Sequence, residues 1–156
     1  MTMRTSKERV IQRLETVWAD FQESFAGLSE QQMLEPGVTG DWSVKDLIAH
    51  VSWWEEETLS HLPEILAGVR PQRYLVLYGG IDAFNAMMTE KWRHLPLTAV
   101  IERANTTHQQ LMAFLSGIPG EQFASETKFR KRLRLDTYGH YPIHARAIRV
   151  WRGSRF

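Results

Sequence analysis

The sequence predicts an all-helical bundle, and three observations predict it. Apolar residues recur with a helical period through four long segments. One of those segments opens on a capping signal, Ser43 followed three residues later by Asp46. No stretch alternates apolar and polar residues long enough to make a strand.

The first helix is expected to start near Thr5, because Thr5 and Glu8 have capping-box spacing. Val10, Leu14, Val17, Trp18, Phe21, Phe25 and Leu28 give it one apolar face, and Gly27 is a stop signal. Residues 29–40 read as a connector, since Pro36, Gly37 and Gly40 break the period. A second helix starts at Ser43. It runs through Leu47, His50, Val51 and Trp54 to about His61, where Pro63 is expected to end or kink it. Residues 68–80 read as a long crossover containing Pro71 and the Gly79-Gly80 pair. A third helix is expected from about Ile81 to His94, with Phe84, Met88 and Trp92 on its face. A fourth runs from Leu97 to Ser116, striped by Ile101, Ala104, His108, Leu111 and Leu115. Residues 121–137 are polar and basic without a sustained period, and a last helix is expected over about 138–152. The whole chain, residues 1–156, reads as one domain: a four-helix bundle with a long crossover and a further C-terminal helical segment.

Composition bounds the function. With 43% hydrophobic and 24% charged residues the chain is globular, and a net charge of +1 argues against a nucleic-acid or membrane partner. There is no cysteine, so disulfides, thiolate metal sites and cysteine nucleophiles are excluded, and any metal must use His, Asp, Glu or water. No signal-peptide core and no bilayer-spanning run is present, which makes cytoplasmic the default expectation.

The histidines carry the chemistry. His140 and His144 stand four residues apart, and on a helix both rings then share one face. His50 lies in the apolar run from Leu47 to Val51 and faces inward by period. A buried imidazole needs a hydrogen-bond partner or a metal, so His50 is either a satisfied core histidine or a ligand. Pro142, between the paired histidines, fits only if the helix starts close before it.

The segment GDWSVKDLIAHVSWWEE resembles the second-helix motif of the DinB-like superfamily, a group of metal-dependent four-helix-bundle proteins. The segment DTYGHYPIHARAIRVW resembles that superfamily's closing motif, especially in its ClbS/DfsB branch. Asp82, Asn85, Pro96 and Val100 follow the same branch loosely, so the resemblance spans most of the chain. It implies metal ligands at His50, His140 and His144, all three present. Three neutral imidazoles suit zinc, nickel, iron or manganese, and they leave positions open for water or substrate. It further implies a hydrolase or a thiol-dependent transferase, acting on a small reactive or electrophilic molecule in a detoxification or self-protection role. A low-molecular-weight thiol is then an expected partner. The alternative is a non-catalytic bundle that binds metal or sequesters a small molecule.

Three further residues are candidates for catalysis. Glu57 returns to the face of His50 at seven residues' spacing and could act as base, or as partner to an imidazole. Tyr138 and Tyr141 flank His140, where their hydroxyls could donate to a metal-bound ligand. Each has a plainer reading: an exposed acidic patch for Glu55, Glu56 and Glu57, and aromatic packing at a helix start for the tyrosines. His108 and Asn85 sit on apolar stripes, more simply as core hydrogen-bonding residues than as site residues. His61 and His94 are expected at helix ends. Lys128, Arg130, Lys131, Arg132 and Arg134 read as a solvated loop, or as a basic rim that attracts an anionic substrate to the histidines. Dimerisation through a helix face is a further expectation.

Overall fold

The computed structural model describes residues 2–156. Among these, every regular element is helical: α1 (Ser6–Ser24), α2 (Glu30–Met33), α3 (Val44–Leu66), α4 (Tyr74–Tyr78), α5 (Ile81–Arg93), α6 (Leu97–Ser116), α7 (Lys128–Asp136) and α8 (Tyr141–Arg155). A short 3-10 turn, Gly120–Phe123, precedes α7. No helix among them is long and apolar enough to cross a membrane.

Helix α3 is the hub. It lies against α5, α6, α7 and α8, while α8 packs along α1. The core is built from the predicted stripes: Leu14 and Phe21 of α1, Leu47 and Val51 of α3, Leu111 and Leu115 of α6, and Ile148 of α8 are all buried. Each such side chain contributes roughly 1.5–3 kcal/mol by leaving water.

Capping fixes where α3 begins. The Ser43 hydroxyl accepts from the Asp46 amide at 3.1 Å, and the Asp46 carboxylate accepts from the Ser43 amide at 3.0 Å. Both orphan donors are satisfied reciprocally, and His50 is thereby set two turns into the helix. Ser43→Ala is expected to lower stability by about 1 kcal/mol, read as a shift in the urea midpoint. An unchanged midpoint would contradict this capping energy.

The far end of α3 differs from expectation. The helix does not stop at Pro63 but continues to Leu66. Proline removes only one intrahelical bond, and the stop is instead set by Gly68, with φ of 76°. The Val69 amide reaches the Glu64 carbonyl at 2.8 Å and the Gly68 amide reaches Ile65 at 3.0 Å, the Schellman pattern. Two segments expected to be irregular also contain helix. The connector 29–40 holds α2, capped by Ser29 and Gln32, and the crossover holds α4.

Most consequential is α7, in a segment that shows no sustained period. Its inward residues are Phe129, Leu133 and Asp136, at helical spacing. The third is a carboxylate, and five basic residues surround the other two, so the stripe is hidden in the sequence. The last helix starts at Tyr141 rather than near Tyr138. Pro142 then occupies its second position, where a missing N–H removes no intrahelical bond.

Candidate metal centre

Three imidazoles meet between α3 and the start of α8. His50 projects from α3 two turns after its start, His140 caps α8, and His144 lies in its first turn. The Nε2 atoms of His50 and His140 are 3.0 Å apart, and those of His140 and His144 are 2.8 Å apart. One donor atom from each ring can be chosen so that all lie within 4.8 Å of one another. Two nitrogens held tetrahedrally at zinc bond lengths sit about 3.3 Å apart, so the spacing is close to that of a shared ion.

The turn before His140 is tight. The Gly139 amide donates to the Arg134 carbonyl at 2.8 Å, and the His140 amide to Thr137 at 2.8 Å. A Cβ on Gly139 would stand 2.7 Å from the Arg134 carbonyl oxygen. Gly139→Ala must therefore shift the backbone next to His140. Its expected cost is about 1–3 kcal/mol, with weaker metal retention. Thermal melting and metal content check the two effects separately; a variant that matches wild type in both would show that the turn yields freely.

The rings are held neutral. Burial, then the neighbouring His144 and His140, lowers His50 from 6.5 to about 2. Burial and His140 lower His144 to about 3. Burial lowers His140 to about 4, although the Asp136 carbonyl favours its protonated form. Neutral imidazole is the form that binds a metal. The Nδ1 atoms of His50 and His140 are buried without a closed hydrogen bond. No carboxylate backs either ring among the described hydrogen bonds; the Asp136 carbonyl lies by His140, and packing orients His50. Trp42 and Trp53 hold His50, with ring centroids 4.8 and 5.1 Å away.

A cavity of about 370 Å³ opens beside the site. His50 and His140 border it, with Trp54, Tyr74, Ile81 and Leu135 supplying an apolar wall and Asn85, Arg132 and Asp136 the polar positions.

The DinB superfamily model matches residues 13–146. The chain belongs to the DinB superfamily. Solved structures share its fold at low sequence identity. Similar ones include "Sibling Lethal Factor Precursor - DfsB", with a TM-score of 0.79, 14% identity and 98% of each chain covered. The colibactin self-resistance protein ClbS, solved in complex with a dsDNA, gives 0.76 at 14% identity, covering 94% of this chain and 95% of ClbS. A protein from Streptococcus pneumoniae gives 0.78 at 14% identity, covering 100% of this chain and 94% of its own. No curated protein matches the sequence.

Within this DinB fold, the residues around the cavity form a chain of hydrogen bonds. Asp136, buried on α7, accepts from the Thr58 hydroxyl at 2.9 Å and from Arg132 at 2.6 Å. Arg132 also donates to the Tyr74 hydroxyl at 2.9 Å, which in turn donates to Glu57 at 2.9 Å. Burial foremost, with the Glu57 carboxylate, keeps the Tyr74 proton in place well above the ordinary phenol range. Burial raises the Asp136 carboxyl, against the opposing pull of Arg132. The expected basic rim is therefore corrected in part. Arg132 does reach the cavity, but its charge is spent on Asp136, while Lys128, Lys131 and Arg134 are exposed on a helix rather than in a loop.

The structure does not bring Glu57, Tyr138 or Tyr141 to the cavity wall. Glu57 reaches it through Tyr74, and lies 3.6 Å from His61. The Tyr138 hydroxyl accepts from Arg130 at 3.3 Å. Tyr141 is fully buried on the other side of the α8 start, against Trp18 and Phe21. Burial, then the Glu55 carboxylate, raises its hydroxyl well above the ordinary value.

Other expectations change with burial. Glu55 is 0% exposed rather than part of a solvated patch, and it pairs with His108 Nδ1 at 3.2 Å. His108 is a core histidine, as the plainer reading has it, stacked on Trp18 at 3.9 Å. Burial raises Glu55, and His108 opposes that. Glu56 instead forms a bidentate pair with Arg103 at 2.7 and 3.0 Å. His94 caps the end of α5 as expected, but His61 is buried inside α3 because the helix runs past Pro63.

Sequence reasoning missed Tyr74 and Asp136 at the site. The helical spacing of Phe129, Leu133 and Asp136 was the signal for the second; nothing in the crossover singles out Tyr74.

Proposed function

We propose that this chain is a metal-dependent enzyme, a hydrolase or thiol-dependent transferase, acting on a small electrophilic molecule in a detoxification or self-protection role. The observation that carries this reading is the convergence of His50, His140 and His144 as neutral rings beside a mostly apolar cavity. His50, His140 and His144 would hold one divalent ion, zinc, nickel, iron or manganese. Such an ion would supply Lewis acidity, lowering the pKa of a water or thiol.

The chain's own residues do the rest. Trp54, with the exposed rim residues Ile81 and Leu135, offers the substrate an apolar wall. Tyr74 presents its ring and hydroxyl oxygen on the cavity wall, with its proton committed to Glu57 and its orientation fixed by Arg132 and Glu57. Glu57 is then a positioning residue, expected to affect turnover more than metal content. Tyr138 and Tyr141 fix the segment that carries His140. The shared fold with ClbS, a colibactin self-resistance protein, supports the protective role.

The absence of Glu57, Tyr138 and Tyr141 from the cavity wall favours one second reading, a non-catalytic protein that sequesters a small molecule. Metal analysis of protein purified without a histidine tag, followed by an electrophile panel with and without low-molecular-weight thiols, separates the two. Metal-dependent consumption of an electrophile is expected. Stoichiometric binding without turnover would leave the sequestering reading standing, and no metal-dependent effect at all would defeat the enzyme.

A further inference from the structure

Asn85 carries an orientation that its chemistry fixes. The Trp53 and Trp54 indoles both donate to Asn85 Oδ1, at 3.3 and 3.0 Å. An indole N–H can only donate, so both need the amide oxygen, and the amide cannot be turned over without losing two bonds. The consequence lies at the other end of the side chain. The Nδ2 group must point away from the indoles, with two donors and no protein acceptor among the described hydrogen bonds. Asn85 is half-buried and stands between two cavities, the one that holds His50 and His140 and a neighbouring one lined by Trp42, Asp82 and Glu90.

The rest of the first cavity says what such a donor is for. Trp54, Ile81 and Leu135 are apolar, and the two charged groups on the wall, Arg132 and Asp136, neutralise each other at 2.6 Å. No uncompensated side-chain charge remains on that wall to hold an ionic ligand. A planar amide donor beside an apolar wall matches an sp² oxygen on an uncharged molecule.

We propose that Asn85 is the recognition donor of this cavity, binding the carbonyl oxygen of an uncharged, largely apolar substrate. The proposal rests on the reading of the cavity as the substrate site. It does not depend on the metal, because two indoles and not an ion orient the amide.

A matched pair of dyes tests it on the full chain. One is an acylated dialkylaminonaphthalene, whose emission reports hydrogen bonding at its carbonyl. The other has a methylene in place of that carbonyl. Wild type is expected to bind the carbonyl dye roughly three- to tenfold tighter than its partner, as one hydrogen bond allows, with the red-shifted emission of a bonded carbonyl. Asn85→Asp keeps an acceptor for both indoles and loses the donor. Asn85→Leu loses both without adding charge. In each folded variant, checked by circular dichroism, the preference and the red shift are expected to vanish while the methylene dye binds as before. Equal binding of the two dyes by wild type, binding of neither, or an unchanged preference in both variants would overturn the proposal. Repeating the titration on wild type with and without a chelator separates this from the metal reading: the preference is expected to persist in chelator, and to be seen even if the protein binds no ion.

Discussion

Replacing His50 by alanine is expected to abolish tight binding of a divalent ion. The three rings come from two places in the chain, His50 from α3 and the other two from the start of α8. Removing His50 leaves two ligands on one turn, with nothing opposite them. Loss of a supporting residue behind a metal ligand typically costs 10- to 100-fold in affinity, and loss of the ligand itself should cost about 100-fold or more. His94→Ala is the control, because that ring is exposed at the end of α5. His61→Ala should also retain metal, although its burial beside Tyr74 makes some loss of stability expected. Equilibrium dialysis against zinc, nickel and manganese gives the answer. If wild type and His50→Ala share the same near-zero content for every ion, the three histidines do not form a metal site.

Acid should weaken the metal-free fold steeply between about pH 6.5 and 4. The sign follows from the protons. In the unfolded chain each histidine takes up a proton near 6.5, whereas the folded rings resist protonation down to about 2, 3 and 4. Below 6.5 the unfolded state therefore binds more protons, and stability falls as pH falls. His140 alone accounts for about 3 kcal/mol once the pH reaches its folded value, an amount large beside the stability of a typical domain. Glu55 and Asp136 act the other way, since their raised values let the folded state take up protons first. Urea midpoints at a series of pH values, compared with His140→Ala, isolate the histidine contribution. The slope should be shallower in the variant, and equal slopes would mean that the rings leave the core before they titrate. The same shifts bear on metal affinity, because neutral imidazole is the ligand form. A proton competes for the folded site only near pH 4 and below, so metal should be retained further into acid.

The sequence and the structure agree where physical signals are local. Ser43 and Asp46 sit next to each other in the chain, so the start of α3 and the inward direction of His50 are legible. The predicted stripes of α1 and α6 are the observed core for the same reason. What sequence reading loses is set by distance. Glu57 was legible as a residue on the histidine's face, but its link to Tyr74 spans the crossover. The buried pairing of Glu55 with His108 joins two helices that no local pattern connects. Helix α7 was hidden because its third inward residue is Asp136, whose partners Thr58 and Arg132 make burial tolerable only in the folded chain. Pro63 misled for a different reason. The helix carries the lost bond and the crowding of the ring for one further turn, with Leu62 buried beside it, and ends only at the Gly68 turn.

Of the three imidazoles, His50 and His140 border the cavity and His144 does not. On the metal-centre reading, the cavity would then be the way in for an ion as well as for an organic molecule. An occupant of the cavity would stand between the ion and the solvent, so its residence time would set how quickly a chelator strips the centre.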